Sequence, residues 1–173
     1  MKHNKARLPF LAFFVLLAAY SVFAQDETFS GANVDYSFDV PDARWKMTVK
    51  PSATSPNVEY VFIERNEGHF EVRKLSAPKD AILSDVIRDE ESKLQFLPGY
   101  VAGKEENFGG FLKGTVFNFE FVRAGRPMTG RFYFLRTVDG TTYVLRFTGY
   151  RDKLRTIKNQ TDTIARTFTL KKA

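Results

Sequence analysis

Apolar and polar residues first alternate at Val34, Tyr36, Phe38 and Val40, with Asp35, Ser37 and Asp39 between them. A period of two puts the apolar set on one face of a strand, and Pro41 ends it. Trp45, Met47 and Val49 alternate with Lys46 and Thr48 in a second short strand, which a turn segment rich in Pro and Ser follows over 51–56. Residues 58–63 are almost continuously apolar, the pattern of a strand covered on both faces. A turn over 64–68 leads into a fourth strand from His69 to Leu75, where Phe70 and Val72 alternate with His69, Glu71 and Arg73.

After Pro78 the period lengthens. Ile82, Leu83, Val86, Ile87, Leu94 and Leu97 recur at three- and four-residue steps, with Asp85, Arg88, Asp89, Glu91 and Lys93 on the other side. This predicts an amphipathic helix over 80–97, with Asp80 as N-cap and Pro98-Gly99 as its stop. Three strands follow over 112–123, 128–138 and 141–150. Phe117, Phe119 and Phe121 share a face of the first, and Phe132 and Phe134 share a face of the second. The segment Ala124-Gly125-Arg126-Pro127 and the pair Asp139-Gly140 mark the turns between them. Leu154, Ile157, Ile164 and Phe168 give the apolar side of a final helix over 151–167.

A sheet with helices inserted at two places needs cover on both faces. The expected fold is α+β: a three-layer α/β/α sandwich around a mostly antiparallel sheet. Its core is a hairpin, a helix, three strands and a helix, after short leading strands. One domain over 34–170 accommodates it, and the polar stretch 25–33 is expected to be a flexible leader.

Ahead of that leader, Lys2, Lys5 and Arg7 precede an uncharged apolar run from Leu8 to Phe23 that closes on Val22-Phe23-Ala24. This is the pattern of a secretory signal peptide over 1–24, whose cleavage leaves Gln25 first. The alternative is an uncleaved anchor. The run is at the short end of the spanning range, and Pro9, Tyr20 and Ser21 interrupt it. Either way the folded part is expected to be secreted or periplasmic, with no stable membrane span after cleavage and no access to nucleic acid.

Composition narrows the chemistry. The chain of 173 residues has no cysteine, which excludes disulfides, thiolate zinc sites, a cysteine nucleophile and a lipid anchor on cysteine. Half of the formal charge of +6 comes from Lys2, Lys5 and Arg7. The folded part is therefore only mildly basic, which favours solubility rather than polyanion binding.

The element order resembles the fold shared by the extrinsic PsbP protein of photosystem II and the Ran-binding Mog proteins, together with many secreted bacterial relatives of uncharacterised function. The residues that carry the resemblance are Tyr36-Ser-Phe-Asp-Val-Pro41 with Trp45 close behind, the helix over 80–97, the meander from Gly109-Gly110 to Tyr150 with its Thr142-Tyr143-Val144-Leu145 strand, and the final helix. The resemblance implies a fold more than a function. Its Pro-then-Trp mark packs a core. A signal peptide removes the chain from cytosolic GTPases, and the metal-binding histidines associated with PsbP need imidazoles that this chain lacks. No site residue is carried over from either relative.

A direct search for chemistry finds little. After the signal segment His69 is the lone histidine. It shares a strand face with Glu71, which would suit a general base, yet no Gly-x-Ser-x-Gly elbow accompanies it, and a surface histidine is the expected reading. Asp85, Asp89, Glu90 and Glu91 could be read as calcium ligands, but they project around a helix where Arg88 and Lys93 can pair with them. Gly109, Gly110 and Gly125 sit at strand turns, so no phosphate cradle is implied. No catalytic, cofactor-binding or metal residue is assigned.

The aromatic residues between Phe108 and Tyr150 are more suggestive. A sheet face left open by the helices would form an aromatic-lined groove rimmed by Arg131, Tyr133, Arg136 or Arg146, with Arg123 and Arg126 flanking a neighbouring turn. These six residues are the candidate partner or ligand surface. The expected function is an exported, non-enzymatic binding or accessory module of the bacterial cell envelope that docks an envelope or extracellular protein. The alternative is a carrier of a small apolar or amphipathic ligand on the aromatic face. A carboxylate-only hydrolase is the third reading, and the oligomeric state is left open.

Overall fold

The computed structural model describes residues 27–171. The signal segment expected over 1–24 lies outside them. Ten strands and three helices follow in the order β1 (Glu27–Phe29), β2 (Tyr36–Val40), β3 (Trp45–Val49), β4 (Val58–Phe62), β5 (His69–Leu75), α1 (Leu83–Ser92), β6 (Val101–Gly109), β7 (Lys113–Arg123), β8 (Arg126–Arg136), β9 (Thr142–Tyr150), α2 (Arg151–Thr156), α3 (Lys158–Thr167) and β10 (Thr169–Leu170). Seven strands form one antiparallel sheet in the order β3-β4-β5-β9-β8-β7-β6, and β2 sits between β1 and β10 in a second, small sheet.

The large sheet is covered on both faces, as expected for an α+β sandwich. On one face Trp45, Tyr60, Phe70, Val116, Tyr133, Leu135 and Phe147 pack with Tyr36 and Phe38 of the small sheet and with Leu154, Ile157, Ile164 and Phe168 of the last helices. On the other face Phe117, Phe119, Phe121, Phe132, Phe134 and Val144 pack beneath Val86 and Ile87 of α1 and the residues after it, Leu94, Leu97 and Tyr100. The alternation of each long strand divides its side chains between these two cores. Stacked pairs such as Phe70 on Phe147, with centroids 4.4 Å apart, knit neighbouring strands.

Several elements depart from the expectation. Part of the stretch read as a flexible leader is β1, whose Phe29 is buried against Phe38 and Tyr60. The strand read as covered on both faces alternates instead. Val58, Tyr60 and Phe62 are buried while Glu59 and Val61 are partly open, and Ile63 falls outside the strand with φ 59°. The helix is shorter than 80–97. Ile82, in an extended conformation, occupies the N-cap without a side-chain bond, so Asp80 does not cap it, and the chain after Ser92 proceeds through turns to Gly99 at φ 62°. The final helix is broken at Ile157, where φ is −102° and ψ 15°, and the buried Ile157 side chain packs beside Gly68.

The turns also differ from the reading. Arg123 pairs with Arg126 across Ala124 and Gly125, at φ 50° and 74°, as a two-residue turn with both central residues left-handed. A longer loop over 137–141 joins β8 to β9 around Gly140 at φ 85°. The largest departure is β6, a nine-residue strand absent from the expectation, so four strands rather than three lie between α1 and α2.

Candidate functional site

The six residues expected to form one surface lie in different places. Tyr133 and Arg131 face the α2 and α3 side, and Phe132, Phe134 and Arg146 face α1, as the period of β8 and its pairing with β9 require. Arg146 is held between Glu71, at 3.1 Å, and the buried Glu90 of α1, and lies over the Phe132 ring. Arg136 donates to the Ala81 carbonyl ahead of α1 at 2.6 Å. Arg126 stacks on Tyr150, 3.6 Å from its centroid, and Arg123 lies over Phe121. The aromatic groove is absent: Phe117, Phe119, Phe121, Phe132 and Phe134 are all buried under α1 and the turns after it, where Tyr100 packs on Phe119. The seat proposed for an apolar ligand is thus filled by the protein's own core.

His69 is neither a surface residue nor a base aligned by Glu71. It is buried at 9% exposure, and its Nε2 lies 2.9 Å from Glu59 on the adjacent strand. Glu71 is engaged by Arg73 and Arg146 instead. Burial alone would raise the Glu71 pKa, but the hydrogen bonds and charges of these two arginines outweigh it and hold the carboxyl below the usual glutamate range. Three of the four helix carboxylates are engaged too: Asp85 pairs with Arg88, Glu90 with Lys93 and Arg146, and Glu91 accepts from Tyr100, while the exposed Asp89 carboxylate has no ion pair among the described residues. Among the described residues no group of three or more His, Asp or Glu side chains is arranged to hold a metal ion.

The polar cluster with the most developed geometry is centred on Arg131. Nε donates to the Tyr133 hydroxyl at 2.6 Å, one terminal nitrogen to Asn118 Oδ1 at 2.7 Å and the other to Asp162 of α3 at 2.8 Å. The Tyr133 hydroxyl in turn donates to Asp162 at 2.5 Å and meets Thr161 at 2.9 Å. Burial raises the Tyr133 pKa, and the Asp162 carboxylate adds to this, against the lowering effect of Arg131; the phenol stays protonated. The cluster fixes the start of α3 onto the sheet and locks the orientation of every group in it.

Above this floor is a cleft of about 530 Å³ lined by Asn118, Glu120, Thr129, Arg131, Arg151, Asp152, Leu154, Arg155 and Lys158. The sheet supplies its floor, and α2 with the first residue of α3 its wall. Arg151 pairs with Glu120 at 3.2 Å across one end. Arg155 and Lys158 have no carboxylate within ion-pair distance among the described residues.

The cleft's sheet side runs into β6. Glu120 is opposite Val101, and Gly103 approaches Asn118 so closely that a Cβ there would fall 2.2 Å from the Asn118 carbonyl. β6 is the last strand of the sheet, with its outer edge unpaired, and every residue from Val101 to Asn107 is exposed. Its register breaks between Ala102 and Glu105. Exposed Phe96, Val101, Phe111 and Val122 lie in the segments that meet or adjoin this margin. An edge strand of this length offers a row of backbone donors and acceptors to another chain, and Lys104, Glu105 and Glu106 on it restrict which chain can pair. No motif or period in the sequence marks Asn118, Arg155, Lys158 or β6 as a site. Only Arg131 and Tyr133, two apart on one strand, were legible.

No family model matches the chain, and no curated protein does. Solved structures do. The Ran-binding protein Mog1p of Saccharomyces cerevisiae aligns with TM-score 0.61 at 10% identity, over 86% of this chain and 96% of that one. CyanoP, the cyanobacterial PsbP of Synechocystis, aligns with TM-score 0.58 at 18% identity, over 88% of this chain and 96% of that one. LpqN of Mycobacterium tuberculosis, involved in cell envelope biogenesis, aligns with TM-score 0.56 at 16% identity, over 86% of each chain. The chain has the PsbP/Mog1-like fold that its strand-Pro-Trp pattern and element order resemble; at these identities the likeness is one of fold.

Proposed function

We propose that this protein is an exported, non-enzymatic accessory module of the bacterial cell envelope that docks a protein partner along the β6 margin. The observation that carries the reading is the open edge itself: a nine-residue terminal strand, exposed along most of its length and continuous with a polar cleft. A partner segment in extended conformation gains main-chain hydrogen bonds there, with side-chain specificity from the charges on β6. Two findings support the class of function. The fold is one that Mog1p uses as a Ran-binding protein, and LpqN, which shares it, serves cell envelope biogenesis. The basic and apolar pattern over 1–24 supports export. Among the described residues no helix is long and apolar enough to cross a membrane.

The test is capture from envelope extracts by the mature protein, compared with two charge-reversed variants. Glu105→Lys/Glu106→Lys alters the exposed β6 edge, and Lys46→Glu alters the exposed face of β3 at the opposite edge. The proposal expects a protein retained by wild type and Lys46→Glu and lost by the β6 double variant. Capture that is indifferent to β6, or absent throughout, refutes it.

A further inference from the structure

We infer that the partner segment docked on β6 is basic, with two successive cations that meet Glu105 and Glu106; this rests on the docking reading above. Three observations converge on it. First, the regular part of the edge is acidic. The register breaks between Ala102 and Glu105, so Lys104, the one cation on β6, sits in the irregular stretch, and unbroken pairing with β7 runs from Glu105 to Gly109. Glu105 and Glu106 in that run are exposed and have no ion pair among the described residues. Second, nothing across the ladder answers them, because Glu105 is opposite Phe117 and Glu106 opposite Val116, both buried. Third, the surrounding cations are answered or distant. Phe117 packs beneath α1, and on that side Arg88 pairs with Asp85, Lys93 and Arg146 with Glu90, and Arg73 with Glu71, which leaves Asp89 unpaired among the described residues. Lys113, exposed and also unpaired, is four positions along β7 from Phe117, about 13 Å at the usual strand rise. On the other side Arg131 answers Asp162 and Arg151 answers Glu120, while Arg155 and Lys158 line the cleft over β7 and β8. A strand added outside β6 runs three strands from Arg131, about 14 Å, beyond the screening length of about 8 Å at physiological salt.

Successive residues of a strand face opposite sides, so Glu105 lies on the α1 side of the sheet and Glu106 on the cleft side. An added strand answers both with two adjacent basic residues, one on each side, while its backbone takes up the free donors and acceptors of the edge. A second copy of β6 would instead bring four unpaired glutamates to one seam, so the same charges select against self-pairing.

Fluorescently labelled hexapeptides of threonine and valine, with a central pair of lysines or of glutamates, serve as probes, read by polarisation with the mature protein. Wild type binds the lysine peptide, loses it as salt is raised, and binds the glutamate peptide far more weakly. Glu105→Gln/Glu106→Gln weakens the lysine peptide about tenfold, from two solvated charge pairs. Glu105→Lys/Glu106→Lys reverses the preference between the peptides. Glu27→Gln/Glu64→Gln, which removes two exposed acids elsewhere, leaves it unchanged. No binding of the lysine peptide, equal affinity for the two peptides, or equal weakening in both glutamine double variants overturns the inference. If β6-dependent capture survives in that case, the docking reading stands and its basic partner falls; if capture itself is independent of β6, the docking reading falls first.

Discussion

Replacing Trp45 with alanine tests the packing that positions everything else. Trp45 is 3% exposed, with its ring near Phe62, Phe70 and Phe147 and its Nε1 donating to Gln160 at 2.9 Å. Burial of about 150–250 Å² at about 25 cal/mol per Å² corresponds to roughly 4–6 kcal/mol for the side chain. The retained Cβ reduces this, and the loss of the Gln160 bond adds little, because Gln160 is partly open and still donates to Asp42 at 3.2 Å. Trp45→Ala should cost about 4 kcal/mol, within the range for large-to-small core changes. Trp45→Phe, which keeps much of the volume, should cost about half as much. Urea unfolding followed by far-ultraviolet circular dichroism reads both without depending on the lone tryptophan. In wild type its native emission should be blue-shifted and move red on unfolding. A cost below about 2 kcal/mol for the alanine variant, well short of the usual cost of such a truncation, or solvent-exposed native emission, refutes the reasoning.

Other predictions follow from the polar clusters. Tyr133→Phe strips Arg131 Nε and Asp162 of a buried partner and should cost about 2 kcal/mol by thermal or urea denaturation. Glu71 has a depressed pKa in the folded state, so its contribution is present above the free-glutamate value of 4.5 and is lost as pH falls through the lower folded value; acid titration of Glu71→Gln should show a shallower loss of stability over that window. Tyr36, Tyr60, Tyr100, Tyr133 and Tyr143 all have raised pKa values, chiefly from burial. The unfolded chain therefore releases protons first as pH rises above 10, and stability falls. Absorbance at tyrosinate wavelengths should rise in step with unfolding rather than in a separate earlier titration.

How much of this was legible depended on whether burial left a trace in the pattern. Strands β2 and β3 and the Phe-rich strands β7 and β8 were readable because one set of alternate residues faces a core. β6 was not, since its residues Val101-Ala-Gly-Lys-Glu-Glu-Asn107 are exposed on both faces and its position is held by backbone pairing with β7. The same reason hid the candidate site. Arg131 and Tyr133 could be named from their strand, but Asp162, the acid that locks both, comes from a helix about 30 positions later that no local period connects to them. Trp45 could be assigned to the core, whereas its partner Gln160 was set by the tertiary fold alone. The basic rim was misjudged because strand alternation, correctly read, sends Arg146 and Arg131 to opposite faces, and a groove needs both on one.

The most direct test of docking at β6 is site-specific photo-crosslinking in the native envelope, with benzoylphenylalanine placed at 105 on β6 and, separately, at 46 on β3, both exposed positions. The account predicts a discrete crosslinked product with another protein from position 105 and none from position 46. Products of equal yield from both positions, or a product from position 46 alone, would contradict it.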